Sequence, residues 1–330
     1  MKSKQITLKS RPIGVPQTTD FEMVEVEARA PDVGEVLVEN VFMSVDPYMR
    51  GRMREAWGPG DVLEGGAIGR ILESGFDGLQ AGDFVSHGMG WREHATMPGK
   101  ACSKVDPDLA PLQAYLGVMG MPGLTAYGGL LVTGQYKDGE TVFVSAASGA
   151  VGSVVGQIAR IKGSKHVIGS AGSAAKVGML KQDFGFSHAF NYKEADILGE
   201  LRAGAPSGLD IYFENVGGMQ LEAALTHMRP HGRIPICGMI AHYNDGDAIT
   251  PGPRNLTETI YKFVTLSGFV VSAFGHLQPQ FVKDMSGWIQ AGDLKYQETI
   301  FDGINSAPEA FIGLFSGANE GKMLVQLADV

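Results

Sequence analysis

The sequence predicts an α/β protein in which a doubly wound parallel sheet is joined to a β-rich, partly closed domain. Three observations carry that expectation. Between Thr141 and Gly156 a short apolar run turns through glycines directly into a helical pattern. After it, strand-like and helix-like segments alternate, the order that builds parallel sheets. Before it, short strand-like runs are separated by Pro and Gly punctuation.

A chain of 330 residues is longer than one core usually serves, so two domains are expected. Residues 1–120 carry strand-like runs at Ile6–Lys9, Phe21–Val26, Glu35–Val41 and Asp83–Ser86. From about Tyr296 strand-like runs return and end in Met323-Leu-Val-Gln-Leu, so residues 296–330 are expected to rejoin the first domain. Residues 121–295 would then be a nucleotide-binding domain, with strands at 141–147, 166–171, 187–191, 209–214, 232–237 and 265–271. No internal repeat, heptad array or low-complexity segment interrupts this plan.

Composition narrows the function. With 44% hydrophobic and 19% charged residues the chain reads as a soluble globular protein with ample core. A net charge of −9 argues against nucleic acid or an anionic membrane surface as partner. The N-terminal stretch has no apolar signal core, and no apolar run is long enough to span a bilayer. Two cysteines, Cys102 and Cys237, cannot form a disulfide framework, and a reducing cytoplasm is the expected location.

The stretch Val142–Ala147 reads as a strand buried on both faces, followed by a helix beginning near Ala150. Val151, Val154, Val155, Ile158 and Ile161 recur at near-helical spacing, and Gly149, Gly152 and Gly156 remove side chains where backbones approach closely. Gly149, Ala150, Val151 and Gly152 are therefore expected to hold a pyrophosphate on exposed N–H groups and the positive end of the helix dipole. Gly156 is expected to let the helix press against the strand. A tight turn with no ligand would leave the same glycine pattern.

The next apolar run, His166–Ala171, should lie beside the first strand. An NAD-binding protein would end it with a carboxylate for the ribose hydroxyls. Here the span between Glu140 and Asp183 holds no acidic residue, and the turn reads Gly172-Ser-Ala-Ala-Lys176. Ser173 can donate a hydrogen bond and Lys176 a positive charge to a 2′-phosphate, so the cofactor is read as NADP(H). A solvated lysine in a helix's first turn is the plainer reading of Lys176.

Several further stretches make the assignment more specific. Asp46-Pro-Tyr-Met-Arg50, Gly120-Met-Pro-Gly-Leu-Thr-Ala-Tyr127, Phe190-Asn-Tyr-Lys193, Tyr212-Phe-Glu-Asn-Val-Gly-Gly218 and Gly268-Phe-Val-Val271 resemble the zinc-independent leukotriene B4 dehydrogenase/prostaglandin reductase family. That family lies within the medium-chain dehydrogenase/reductase superfamily, and matching stretches run from Arg11 to Lys322. The resemblance implies a Rossmann domain with a GroES-like β domain, NADP(H), a homodimer joined through the sixth strands, and no metal. Zinc-dependent members carry a Gly-His-Glu motif for the catalytic metal; the comparable stretch here is Glu64-Gly-Gly-Ala-Ile-Gly69. Of eight histidines only His227 and His231 have a ligand-like spacing, and Pro230 between them disfavours one regular helical face.

The resemblance further implies cofactor contacts. Lys176 and Tyr192 would meet the 2′-phosphate and Asn215 the ribose. Cys237, Met239, Ile240, Tyr243, Phe269, Val270 and Val271 would approach the nicotinamide half, with Thr125 and Asn319 completing the site. Tyr261 and Tyr48 are the candidates to hydrogen-bond the substrate carbonyl. Residues 243–255, rich in Gly, Pro, Asn and Asp, read as a mobile loop that orders on ligand binding.

Metal-free chemistry with NADPH suits a conjugated carbonyl. Hydride added at the β-carbon spreads charge into an enolate that one hydrogen bond can steady. The expected activity is reduction of the C=C bond of enones or enals, small-molecule α,β-unsaturated carbonyls. A zinc-free quinone reductase, an NADP-dependent allylic alcohol dehydrogenase and a non-catalytic NADP-binding protein are the competing readings.

Overall fold

The computed structural model describes residues 1–246 and 250–330. Its first seven strands are β1 (Lys2–Leu8), β2 (Phe21–Glu27), β3 (Glu35–Ser44), β4 (Ala67–Ser74), β5 (Phe84–His87), β6 (His94–Pro98) and β7 (Ser103–Lys104), with the one-turn helix α1 (Met49–Arg52) after β3. Helix α2 (Met121–Gly128) leads into β8 (Val142–Val144), α3 (Gly152–Ile161), β9 (Val167–Ala171), α4 (Ala174–Gln182), β10 (His188–Asn191) and α5 (Ile197–Gly204). There follow β11 (Leu209–Phe213), α6 (Gly218–His227), β12 (Met228–Ile236), α7 (Glu258–Lys262), β13 (Thr265–Gly268) and α8 (Gln278–Gln290). The chain ends with β14 (Glu298–Asp302), α9 (Ala307–Ser316) and β15 (Lys322–Gln326).

Two compact units result, Met1–Gly117 with Glu298–Val330, and Val118–Gln297. In the first, a seven-stranded open mixed sheet runs β14-β15-β3-β4-β5-β7 with β6 beside β3, and β1 pairs with β2 in a separate hairpin. It does not close into a barrel. Strand β3 is buried along most of its length, as its place in the middle of this sheet requires, and β15 joins it antiparallel, with Leu324 opposite Ser44. Phe21, Trp91 and Phe311, with centroids 6.0–6.2 Å apart, fill the core beneath the hairpin. Such aromatic packing contributes beyond area burial alone.

The second unit holds a six-stranded sheet of order β10-β9-β8-β11-β12-β13, parallel throughout. Its central strands β8, β9 and β11 are short and mostly buried, as packing between two helical layers requires, whereas β12 and β13 toward one edge are more polar and partly exposed. The chain winds outward from β8 to one edge, then returns to β11 and winds to the other. The order therefore reverses between β8 and β11, and the crevice at the carboxyl ends of these two strands is where doubly wound sheets bind ligands.

Some expected boundaries shift for local reasons. Strand β8 stops at Val144 because Ala146 enters the left-handed region at φ 47°, and α3 starts at Gly152 rather than near Ala150. Gly156 does not seat the helix on the strand. A methyl group there would stand 2.0 Å from the Phe186 ring, so its space is taken by an aromatic side chain from the segment before β10. The glycine that lets α3 approach the end of β8 is Gly152, where a methyl would stand 2.5 Å from the Ala146 carbonyl oxygen. Strand β13 ends at Gly268, short of 271, and a 3₁₀ stretch begins at Val271. Strand β12 starts earlier than expected and is irregular, with a register shift against β11 and His231 at φ 65°.

Candidate functional site

The reversal point is built around a buried acid. Glu214, the residue after β11, is fully buried, and its Oε1 accepts hydrogen bonds from Tyr212 Oη (2.7 Å), Ser145 Oγ (3.1 Å), Val216 N (2.6 Å) and Gly217 N (2.9 Å). Its Oε2 has no hydrogen-bond partner among the described residues. Burial raises the carboxyl above the usual range against the lowering effect of those four donors. The acid thereby pins the turn after β11 to the end of β8. Asn215 completes the clasp: its amide N–H donates to Ser145 Oγ at 2.9 Å and its side-chain Nδ2 to Ser145 O at 2.8 Å.

Beside it lies the glycine turn. Gly149, Ala150 and Val151 form the turns preceding α3, and Gly152 is the first residue of that helix. Ser153 N donates to Gly149 O at 3.1 Å, and Val154 N and Val155 N donate to Val151 O at 3.1 and 3.0 Å, so the glycine turn is wound onto the positive end of the α3 dipole. At the end of β9, Ser173 caps α4, its Oγ accepting from Lys176 N at 3.3 Å, and the first turn of α4 carries no acid. Tyr192 N donates to Ala171 O at 3.1 Å, so the end of β10 is laid against the β9 turn. A methyl on Gly172 would stand 3.4 Å from the Tyr192 ring.

The next two strand ends are arranged similarly. Cys237 N donates to Glu214 O at 2.9 Å, and its thiol is pushed up to about 12, chiefly by burial and then by Glu214. It is a packing thiol, not a nucleophile. Met239 N donates to Tyr243 Oη at 3.3 Å, and Ile240 opens a 3₁₀ turn over Asn215, to whose carbonyl it donates at 3.1 Å. Phe269 N reaches Ile236 O at 3.4 Å, and the Phe269 ring packs edge-on to Phe213; Val270 is exposed and Val271 begins the following 3₁₀ stretch. Thr125 is buried on α2 and donates from Oγ1 to Met121 O at 2.7 Å.

Tyr261 stands elsewhere. It lies on α7, which runs into the start of β13, and its neighbour Lys262 donates from Nζ to Leu225 O (3.1 Å) and Thr226 O (2.7 Å) in the last turn of α6. That is the amino end of the sheet. Tyr261 is 80% exposed there, while the cofactor candidates of this unit gather at the carboxyl end. Within the unit the structure does not bring them together. Of the expected mobile loop, Asp247, Ala248 and Ile249 lie outside the described residues. Its far end is tied to α6, with Arg254 paired to Glu222 at 3.0 Å and Asn255 Nδ2 donating to Glu222 O at 2.8 Å.

Tyr48 and Asn319 belong to the first unit. Tyr48 precedes α1 and is 43% exposed; partial desolvation and then the Asp46 charge push its phenol upward. Asp46 is held from two sides. Ser44 Oγ donates to its Oδ2, and Lys322 Nζ donates to its Oδ1 at 3.0 Å, to Val45 O at 2.8 Å and to Met323 O at 2.9 Å. Arg50, also buried, donates from Nη2 to Pro12 O (3.1 Å) and Gly14 O (3.0 Å). Asn319 Nδ2 donates to Gly321 O at 2.7 Å, closing the turn before β15.

Sequence reasoning passed over Glu214 and Lys322. Each had a signal: a carboxylate directly after the run Ile211-Tyr-Phe213, and a lysine directly before the apolar run Met323–Val325. His227 Nε2 lies 2.7 Å from Ala205 O, whereas His231 stacks on Phe263. Among the described residues no three His, Cys, Asp or Glu side chains form a group that could hold a metal ion.

Residues 4–105 match the family described as the N-terminal domain of oxidoreductase, and residues 150–290 the one described as zinc-binding dehydrogenase. The chain is 43% identical to the 2-alkenal reductase (NADP(+)-dependent) of Nicotiana tabacum, over 99% of this chain and 98% of that protein. It is 44% identical to prostaglandin reductase 1 of Bos taurus, over 98% and 99%. The crystal structure of CurA in complex with NADPH from Vibrio vulnificus superposes with a TM-score of 0.94 at 38% identity, covering 99% of this chain and 100% of that one. The chain belongs to the zinc-independent medium-chain dehydrogenase/reductase family, in the branch that includes the prostaglandin, 2-alkenal and curcumin reductases.

Proposed function

We propose that this chain uses NADPH to reduce the C=C bond of small α,β-unsaturated carbonyls. The observation that carries the reading is its full-length similarity to reductases of that kind, joined to a β9 turn that offers Ser173 and Lys176 where an NAD-specific site would offer an acid. The residues fit the cofactor: the glycine turn leads onto the positive end of α3, and α4 has no acid in its first turn.

Bound NADPH supplies a hydride. The chain's own residues orient the acceptor and steady the charge that collects on its carbonyl oxygen. Tyr48, which like any phenol is protonated at neutral pH, is assigned as the donor to that oxygen from the family resemblance, and the Lys322–Asp46 pair fixes the segment that carries it. Removing one such donor typically costs a hundredfold or so in turnover, so Tyr48→Phe is expected to lower kcat by roughly that factor with NADPH affinity unchanged. Tyr261→Phe should change kcat by no more than about twofold, because a side chain at the amino end of the sheet is far from the strand ends where doubly wound sheets bind ligands. The reverse ranking in steady-state kinetics would return the donor role to Tyr261.

The reaction itself is tested by NADPH consumption with a trans-2-alkenal, an aromatic enone, a simple quinone and a saturated aldehyde, with product identification. Conjugated substrates alone should turn over and leave the saturated carbonyl. Turnover of the quinone alone would replace this reading by quinone reduction.

The working form is a homodimer in a reducing cytoplasm. Support comes from β13, an edge strand flanked by the exposed apolar side chains Ile260, Phe263 and Val270, and from two unpaired cysteines. Among the described residues no helix is long and apolar enough to cross a membrane. Sedimentation equilibrium should give the mass of two chains; a single-chain mass at micromolar concentration contradicts the dimer.

A further inference from the structure

We infer that Lys193 is a second cation of the 2′-phosphate site and sets the preference for NADPH over NADH; the inference rests on the cofactor reading above. The argument starts from strand register. Strands β9 and β10 are parallel with Ala171 opposite Asn191, so the next residues on each, Gly172-Ser173 and Tyr192-Lys193, leave the sheet side by side. Tyr192 N donates to Ala171 O at 3.1 Å, and Lys193 N donates to the Asn191 side-chain Oδ1 at 3.2 Å, which turns the chain back across the β9 end.

The side chains follow that turn. A methyl group on Gly172 would stand 3.3 Å from Lys193 Cε, 3.4 Å from Tyr192 Cε1 and 3.6 Å from Lys193 Nζ. The exposed Lys193 side chain therefore lies along Gly172, with its ammonium beside the end of β9. Gly172 is the residue before Ser173, whose hydroxyl caps α4, and α4 carries Lys176 in its first turn. The adjacent ends of β9 and β10 thus lead into segments that carry two lysines, a hydroxyl and the start of α4, and no acidic residue lies between Glu140 and Asp183. A phosphate dianion is the group such a set of donors recognises.

The test compares wild type, Lys193→Gln and Lys193→Glu by fluorescence titration with NADPH and NADH, and by competition with adenosine 2′,5′-bisphosphate and 5′-AMP. Loss of one charge-assisted contact should weaken NADPH and the 2′,5′-bisphosphate roughly tenfold in Lys193→Gln, and further in Lys193→Glu, and the effect should shrink as salt is raised. NADH and 5′-AMP should bind as they do to wild type, which also shows that the variants are folded. Unchanged NADPH affinity in both variants, or equal losses for NADPH and NADH, overturns the assignment. A wild-type protein that binds NADH as tightly as NADPH overturns the cofactor reading itself, a result distinguishable from failure of Lys193 alone.

Discussion

Gly152→Ala is expected to lower both stability and NADPH affinity. The added methyl would stand 2.5 Å from Ala146 O and 2.8 Å from Ala147 Cα, and both are backbone atoms that no rotamer change can move aside. Relieving the clash means shifting α3 away from β8 or unwinding its first turn. Overpacking of this kind costs about 1–3 kcal/mol, and a displaced helix N-terminus presents its N–H groups to the wrong place. NADPH affinity should fall roughly tenfold or more, since each 1.4 kcal/mol is a factor of ten. Gly149→Ala is the control. Its methyl would have one close neighbour, Ala146 O at 3.3 Å, so the fold should suffer less. A larger loss of melting temperature in Gly149→Ala than in Gly152→Ala would contradict this account of the loop.

Glu214→Ala is expected to be the most damaging single truncation in the nucleotide-binding unit. It strips the acceptor from four donors at once, among them the buried Tyr212 hydroxyl and the amides of Val216 and Gly217. Unpaired buried donors cost about 1–3 kcal/mol each, and partial relaxation leaves a loss of about 3 kcal/mol or more. Glu214→Gln keeps an acceptor oxygen and should be much milder. The pH dependence has a definite sign. A carboxyl raised in the folded state binds more protons there than in the unfolded chain, so its contribution to stability falls as pH rises from its ordinary value toward its raised one. Glu214→Gln removes that decline. Denaturant titrations at several pH values, at acidic and neutral pH, should show a flatter profile for Glu214→Gln than for wild type; parallel profiles would show that the acid is not held protonated.

The parallel sheet was legible because its strands are short apolar runs separated by helical periodicity, a pattern dictated by burial on both faces. The β9 turn was legible for an unusual reason, the absence of any acid near Ser173 and Lys176. What sequence could not give was depth and direction. Glu214 and Lys322 look like surface residues by type, and only the packing of β11 against β8, and of β15 against β3, puts their charges inside. Gly156 looked like a contact between helix and strand because both are local in sequence. Its actual neighbour, Phe186, comes from a later segment, and such non-local packing leaves no periodic trace. Tyr261 was expected near substrate from its motif, yet the helix carrying it precedes β13 and so ends at the amino edge of a parallel sheet.

The most direct measurement is the fate of the transferred hydrogen. With NADPH deuterated at nicotinamide C4 on the transferred face and a trans-2-alkenal as substrate, deuterium should appear at the β-carbon of the saturated aldehyde, with the carbonyl intact. Deuterium at the carbonyl carbon, in an allylic alcohol, would contradict C=C reduction and make the protein a carbonyl reductase.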